Sequence, residues 1–181
     1  MSELGKKIDT VSTQLTDLRI EIWTKHTVFT WQWWMLVVIC LLFITLLFVF
    51  IKKQTALTTA AYFGVIYILN KNLDDVATAM DWYDYRMQLE PIIPTMLPAN
   101  LFIIPIGCSI LYQRFEGWRS FLISIGLFAG FVSYIGLPLM KTIDIYVEKN
   151  WNPNFSFISL LLISILSKII IDQLKLSYKS T

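Results

Sequence analysis

The stretch LDDVATAMDWYDYRMQLEP, residues 73–91, sets Asp74, Asp75, Asp81, Asp84 and Glu90 against a single Arg86. Carboxylates in this number can bind a hard cation through oxygen ligands. With Trp82, Tyr83 and Tyr85 beside them they can also hold a cationic solute by cation–π contact. The spacing is not that of an EF-hand, because the glycine and the closing glutamate are not at the required offsets. The plainer reading is a solvated loop whose aromatic residues sit at a membrane interface.

Other chemistry is sparse. Asn70 and Asp74 form an N-x-x-x-D that resembles part of the magnesium–diphosphate motif of membrane prenyltransferases. Those enzymes need a second aspartate-rich motif and more helices, and this chain has neither. HExxH, a GxSxG elbow and a phosphate-cradling glycine loop are absent. His26 is the only histidine, without the second His or nearby Cys that a metal site would want. Cys40 and Cys108 lie inside apolar blocks and make no disulfide or zinc pattern. The expectation is a non-enzymatic protein with no catalytic residues, metal or cofactor.

The elements that would carry these residues are apolar blocks. Of 181 residues 56% are hydrophobic and 15% charged, against about 25% charged in a typical soluble domain. A net charge of +2 gives no reason to expect nucleic acid. The blocks span about residues 31–51, 55–73, 97–112, 121–140 and 155–171, each too long and uniformly apolar for a strand. The expected fold class is all-α: an integral membrane bundle of about five transmembrane helices (residues 30–181) behind an amphipathic N-terminal helix (1–29). No cleavable signal is read in the polar first 30 residues.

Within the third block, Pro105 removes a backbone N–H and presses its ring toward the carbonyl of Leu101. Asn100 lies about a turn away. Irregular backbone at membrane depth is tolerated where it is buried in protein or lines a wet cavity. One expectation is therefore a small ligand or cation pocket near Asn100 and Pro105, with Asp81 and Asp84 at its mouth. The reading preferred to it is a dry proline kink packed on neighbouring helices, in which Asn100→Leu would cost little. Gly126 and Gly130 form a GxxxG suited to helix packing. Lys168 and Asp172, four apart near a helix end, can pair while both reach water.

Trp31, Trp33 and Trp34 stand where the polar tail meets the first block, and Trp118 before the fourth; indoles favour that level of a bilayer. Charge sets the orientation. With the N-terminus outside, and leaving the tail aside, seven Lys and Arg lie on the cytoplasmic side and four outside. All acids but Glu116 and Asp172 then lie outside. The expected location is the cell membrane, multi-pass, N-terminus out and C-terminus in.

The tail carries Leu4, Ile8, Val11, Leu15, Leu18 and Ile22 at spacings of four and three, a heptad seam that Lys25 stops. It can form a short coiled coil, joining another copy of the chain or another membrane protein. The plainer reading is one amphipathic helix that lies on lipid or packs on its own bundle. The stretches LRIEIWTKHTVFTWQWWML, DWYDY, ILYQRFEGWRSFLIS and YIGLPL resemble a family of small hydrophobic membrane proteins from spore-forming Gram-positive bacteria. The resemblance covers most of the chain and implies a multi-spanning protein of Bacillus- or Clostridium-like origin. It brings no catalytic residues, and it implies an acid where this chain has Asn100. The expected function is that of an oligomerising, scaffold or accessory subunit; the alternative is a small transporter, channel or solute sensor.

Overall fold

The computed structural model describes residues 2–179, with side chains to residue 175. Ser180 and Thr181, the end of the expected bundle domain, lie outside the described residues, as does the side chain of Lys179. The chain is mostly helical. Helix α1 (Glu3–Ile22) runs on through a π-helical turn, Trp23–Thr27. Phe29, at φ 62°, breaks it, and the Thr30 hydroxyl caps the next helix by accepting from Trp33 N. That helix is α2 (Trp31–Phe50), followed by α3 (Ala56–Ala79) and a short strand β1 (Tyr83–Tyr85). A π-helical segment, Pro98–Ile103, leads into α4 (Ile104–Arg114). Helix α5 (Trp118–Phe131) continues through a second π-helical segment, Val132–Gly136, into α6 (Leu137–Thr142). Strand β2 (Tyr146–Glu148) and the long α7 (Pro153–Lys179) complete the order.

Three of these pieces are long and apolar enough to cross a bilayer: Trp31–Phe50, Trp118–Thr142 and Pro153–Lys175. Helix α2 makes the physical case most directly. It has no charge on any face, yet only Leu36 and Cys40 are buried. A helix that is apolar all round and mostly uncovered fits lipid and not water. The other two expected spans are less apolar or shorter. Helix α3 carries Lys71, Asp74 and Asp75 in its last turns, and the third block is divided between a π-helical segment and the 11 residues of α4.

The all-α expectation needs one amendment. β1 and β2 pair antiparallel, with Tyr83 opposite Glu148, Asp84 opposite Val147 and Tyr85 opposite Tyr146. The two loops that carry them therefore lie at the same end of the bundle. The start of α2 joins them there: Trp23 Nε1 donates to Gln88 O and Trp33 Nε1 to Leu89 O. Trp33 is thus a tie between α2 and a loop, while Trp31 and Trp34 are exposed as interface residues would be.

The opposite end is held by Gln113. Its Oε1 accepts from Lys52 N (2.8 Å), Thr55 Oγ1 (3.0 Å) and Thr59 Oγ1 (3.3 Å), and its Nε2 donates to Phe50 O (2.7 Å). One amide from α4 thus satisfies backbone groups freed where α2 ends and α3 begins. Between the ends, Tyr62 stacks on Tyr112 at 4.2 Å, with Phe121 edge-on to both, in a core that also holds Ile66, Ile125 and Ile171. Replacing Gln113 by Leu strands several partly buried groups at about 1–3 kcal/mol each. The expected result is a clear fall in the unfolding temperature of the purified protein. Ser120→Ala, which removes an exposed hydroxyl bonded only to the nearby Gly117 O, should leave it almost unchanged.

Candidate functional site

Two of the helical irregularities sit directly before a proline. Pro105 follows the 98–103 segment and Pro138 follows the start of α6. Each proline lacks an N–H and crowds the carbonyl four residues back, Leu101 and Tyr134, both of which lie in the π-helical turns. Widening the turn relieves that crowding. The two wide turns present Asn100 and Ser133, both buried, to one cavity of about 320 Å³. The cavity lies among α2, α3, α5–α6, α7 and the paired strands, and its wall is largely apolar.

Its polar end is built around Asp74, which is 5% exposed. Tyr83 and Tyr85 donate to Asp74 Oδ1 at 2.6 and 3.0 Å. Asn100 Nδ2 donates to Asp74 Oδ2, and Asn70 Nδ2 donates to Asn100 Oδ1 at 2.6 Å. Local geometry explains each arrival. Asn70 and Asp74 are four apart on α3 and share a face. Tyr83 and Tyr85 are two apart on a strand and point to one side, with Asp84 on the other. Asp81 takes φ 57°, the left-handed conformation that ends a helix, and turns the chain from α3 into β1. Asp144 at φ 56° does the same between α6 and β2. Burial, and then the neighbouring Asp74 carboxylate, push the phenols of Tyr83 and Tyr85 well above their usual range, so both remain donors.

Among the described residues, no Lys, Arg or His nitrogen lies within ion-pair distance of Asp74. The carboxylate is offset by hydrogen bonds alone. It can polarise or bind a positive group, but among the described residues no group of three His, Cys, Asp or Glu side chains that could hold a metal ion includes it.

The sequence-predicted residues are distributed as follows. Asn100 stands inside the polar network. Pro105 is buried next to it and shapes the wide turn without lining the cavity. Asp81 and Asp84 are exposed and do not border the cavity; both face Lys149, and Asp81 is hydrogen-bonded to it. Glu90 Oε atoms accept from Ile92 N and Ile93 N, and Arg86 faces Asp144. The acids of the loop are thus spent on shaping it. A Cβ on Gly126 would meet nothing within 4 Å, and one on Gly130 would meet Phe157 at 3.9 Å, so this pair makes no close approach inside the bundle. Close approach belongs to Gly107, where a Cβ would lie 2.5 Å from Phe128 Cζ.

Lys168 does not reach water as expected. It is 2% exposed, 3.0 Å from Asp172 Oδ2, and donates to Glu116 O at 3.2 Å. The rings of Tyr112, Trp118 and Phe121 stand 4.9–5.2 Å from its Nζ. Trp118, expected as an interface anchor, is also one wall of this cage. Asn70 and Asp74 are noted in the sequence, as an N-x-x-x-D pair and a loop acid, but are not placed at the pocket there; Ser133 is passed over. The i, i+4 spacing of the first two was a usable signal.

Comparison with family models, curated proteins and solved structures gave no match.

The network changes what Asn100→Leu should do. In place of a nearly neutral change, it leaves Asp74 Oδ2 and Asn70 Nδ2 each without a buried partner, a cost of roughly 2–5 kcal/mol. Tyr85→Phe removes one of three donors to Asp74 and should cost about 1 kcal/mol. Thermal unfolding of the two purified variants is expected to rank them in that order.

Proposed function

We propose that this chain is a multi-pass membrane protein that binds a small amphipathic molecule inside its bundle, as a solute sensor or carrier. The observation that carries the reading is the cavity whose apolar wall ends in the buried Asp74–Asn100–Asn70 network. Pockets of about 300–1,000 Å³, mostly apolar with a few convergent polar groups, are the usual form of small-molecule sites. Asp74 is met there by donors but by no Lys, Arg or His among the described residues, which leaves a place for a positive group. Mass spectrometry of protein extracted gently from its native membrane is expected to find a retained small molecule. The cavity-filling variant Val132→Trp should lose it; retention by both would place the molecule elsewhere.

The proposal includes five crossings, with α3 and the 98–114 stretch as the two less apolar spans. Support comes from the clustering of ends. The paired loops and the start of α2 gather at one end. Gln113, Lys52, Thr55, Glu116 and Lys168 gather at the other. Five antiparallel segments meet that pattern. The basic residues Lys52, Lys53, Arg114 and Arg119 belong to the second end, which favours it as the cytoplasmic one. In a Cys40→Ala, Cys108→Ala background, an impermeant maleimide should label Asp81→Cys on intact cells, and Lys53→Cys and Arg119→Cys only after lysis. Labelling of Asp81→Cys only after lysis would reverse the orientation.

A second role, association through α1, has one observation in its favour. No residue of α1 is buried, and Leu4, Ile8, Val11, Leu15, Leu18 and Ile22 are all exposed. The seam therefore does not pack on the chain's own bundle, which leaves a partner or the lipid surface to cover it. Leu15→Glu should reduce crosslinked oligomer in detergent, while Ser12→Glu, beside the seam, should not. Equal yields would leave lipid as the cover.

A further inference from the structure

The polar end of the cavity has an unmet requirement, and it is specific. A carboxylate offers about four acceptor positions. Asp74 Oδ1 receives two phenols and Oδ2 one amide, which leaves a position at Oδ2. Asn70 Oδ1, on the same face of α3, receives no hydrogen bond from the described residues. Ser133 Oγ is fully buried on the cavity wall and has no hydrogen-bond partner among the described residues. The site thus has spare acceptors, a buried carboxyl group with no cationic partner among the described residues, and the phenol rings of Tyr83, Tyr85 and Tyr146 in its lining. An anionic head would be repelled by Asp74. A neutral one would leave its charge unbalanced. An ammonium group supplies the charge and three N–H donors at once, and aromatic rings favour it further.

The other end of the cavity indicates what the ammonium is attached to. Leu42 of α2 and Phe131, Ile135 and Leu139 of the α5–α6 helix border the cavity and are also more than half exposed. Both helices are long and apolar enough to cross a bilayer. These bordering side chains thus lie on the apolar surface that such helices turn to lipid. A molecule arriving from that side is one that already partitions into the bilayer. The cavity volume, at the lower end of ordinary ligand pockets, suits one short chain or ring system and not a two-chain lipid.

Building on the ligand-binding reading, we propose that the cavity takes an amphipathic primary amine from the bilayer. Its ammonium sits against Asp74 and Asn70 beneath the tyrosine rim, and its apolar part lies among Ile39, Phe128 and Val132. No covalent step is involved; the amine is bound, not transformed.

The test uses the full chain in nanodiscs of phosphatidylcholine, with decylamine, decanol and decanoate as probes and empty discs to subtract partitioning. Decylamine is expected to bind saturably and raise the unfolding temperature. Decanol and decanoate should bind at least about tenfold more weakly. Asp74→Asn, close to isosteric, should lose that preference for the amine. Ile39→Trp, which fills the apolar part and leaves the polar network untouched, should abolish saturable binding while the protein stays folded. It carries the test if Asp74→Asn does not fold. Decanol binding as well as decylamine, or an Asp74→Asn variant that keeps the preference, overturns the amine assignment but leaves a ligand pocket. Absence of saturable binding by any probe also overturns it. The pocket itself then stands or falls separately, on whether a molecule is retained from native membranes.

Discussion

A carboxylate removed from water in an apolar bundle costs several kcal/mol unless it is met by donors. Asp74 sets this constraint, and its donors come from elements far apart in the chain. Tyr83 and Tyr85 reach it only because β1 folds back over the end of α3. A three-residue strand does not hold its shape alone, so β1 depends on β2, which arrives after three further helical segments. Asn100 reaches it only because the 98–103 turn is wide. The satisfaction of one side chain therefore couples α3, the loop above it, the third apolar block and the strand after α6. Misplacing any one leaves a buried charge with too few partners.

The opposite end repeats the principle with different chemistry. Gln113 serves the corner between α2 and α3, and the cage around Lys168 fixes the α4–α5 corner to α7. Polar contacts of this kind inside membranes average well under 2 kcal/mol apiece. Their larger effect is on arrangement, because apolar helices in lipid slide past one another at little cost and a polar group finds few partners. Two polar ends separated by a slab of aromatic and aliphatic packing fix the register of every helix that touches both.

Much of this is visible in the sequence and some of it is not, for physical reasons. Long charge-free runs announce α2, α5–α6 and α7 because lipid tolerates no other composition at that length. Asn100 and Pro105 stand out as exceptions to an apolar run, and an exception within such a run has to be accommodated somewhere. Asp74 does not stand out. It sits in a stretch with four other acids, and composition cannot say which one turns inward. That is decided by helical phase: Asp74 shares a face with Asn70, whereas Asp75 is turned to Lys71 and Asp81 lies past the helix end. The strands escaped notice because three residues are too few for alternation to be read against the aromatic richness of the loop. Lys168 was read by its helix alone, although its fate is set by Tyr112, Trp118 and Phe121 from other segments.

A cavity in a packed interior needs a reason to persist, since its lining forfeits contacts that closure would restore. Here the reason lies in the backbone. The turns before Pro105 and Pro138 are wide because a proline follows each, and a wide turn sets its side chains at an angular spacing that neighbouring α-helices do not match. Phe128 lines the space, but its ring tip is seated elsewhere. Its ring tip lies where a Cβ on residue 107 would be, so glycine at that position gives the ring a seat against α4. A larger residue at 107 would push the ring away from that seat. The prolines thus open the space, the glycine seats the Phe128 ring tip against α4, and the Asp74 network gives one end a polarity that apolar collapse could not satisfy.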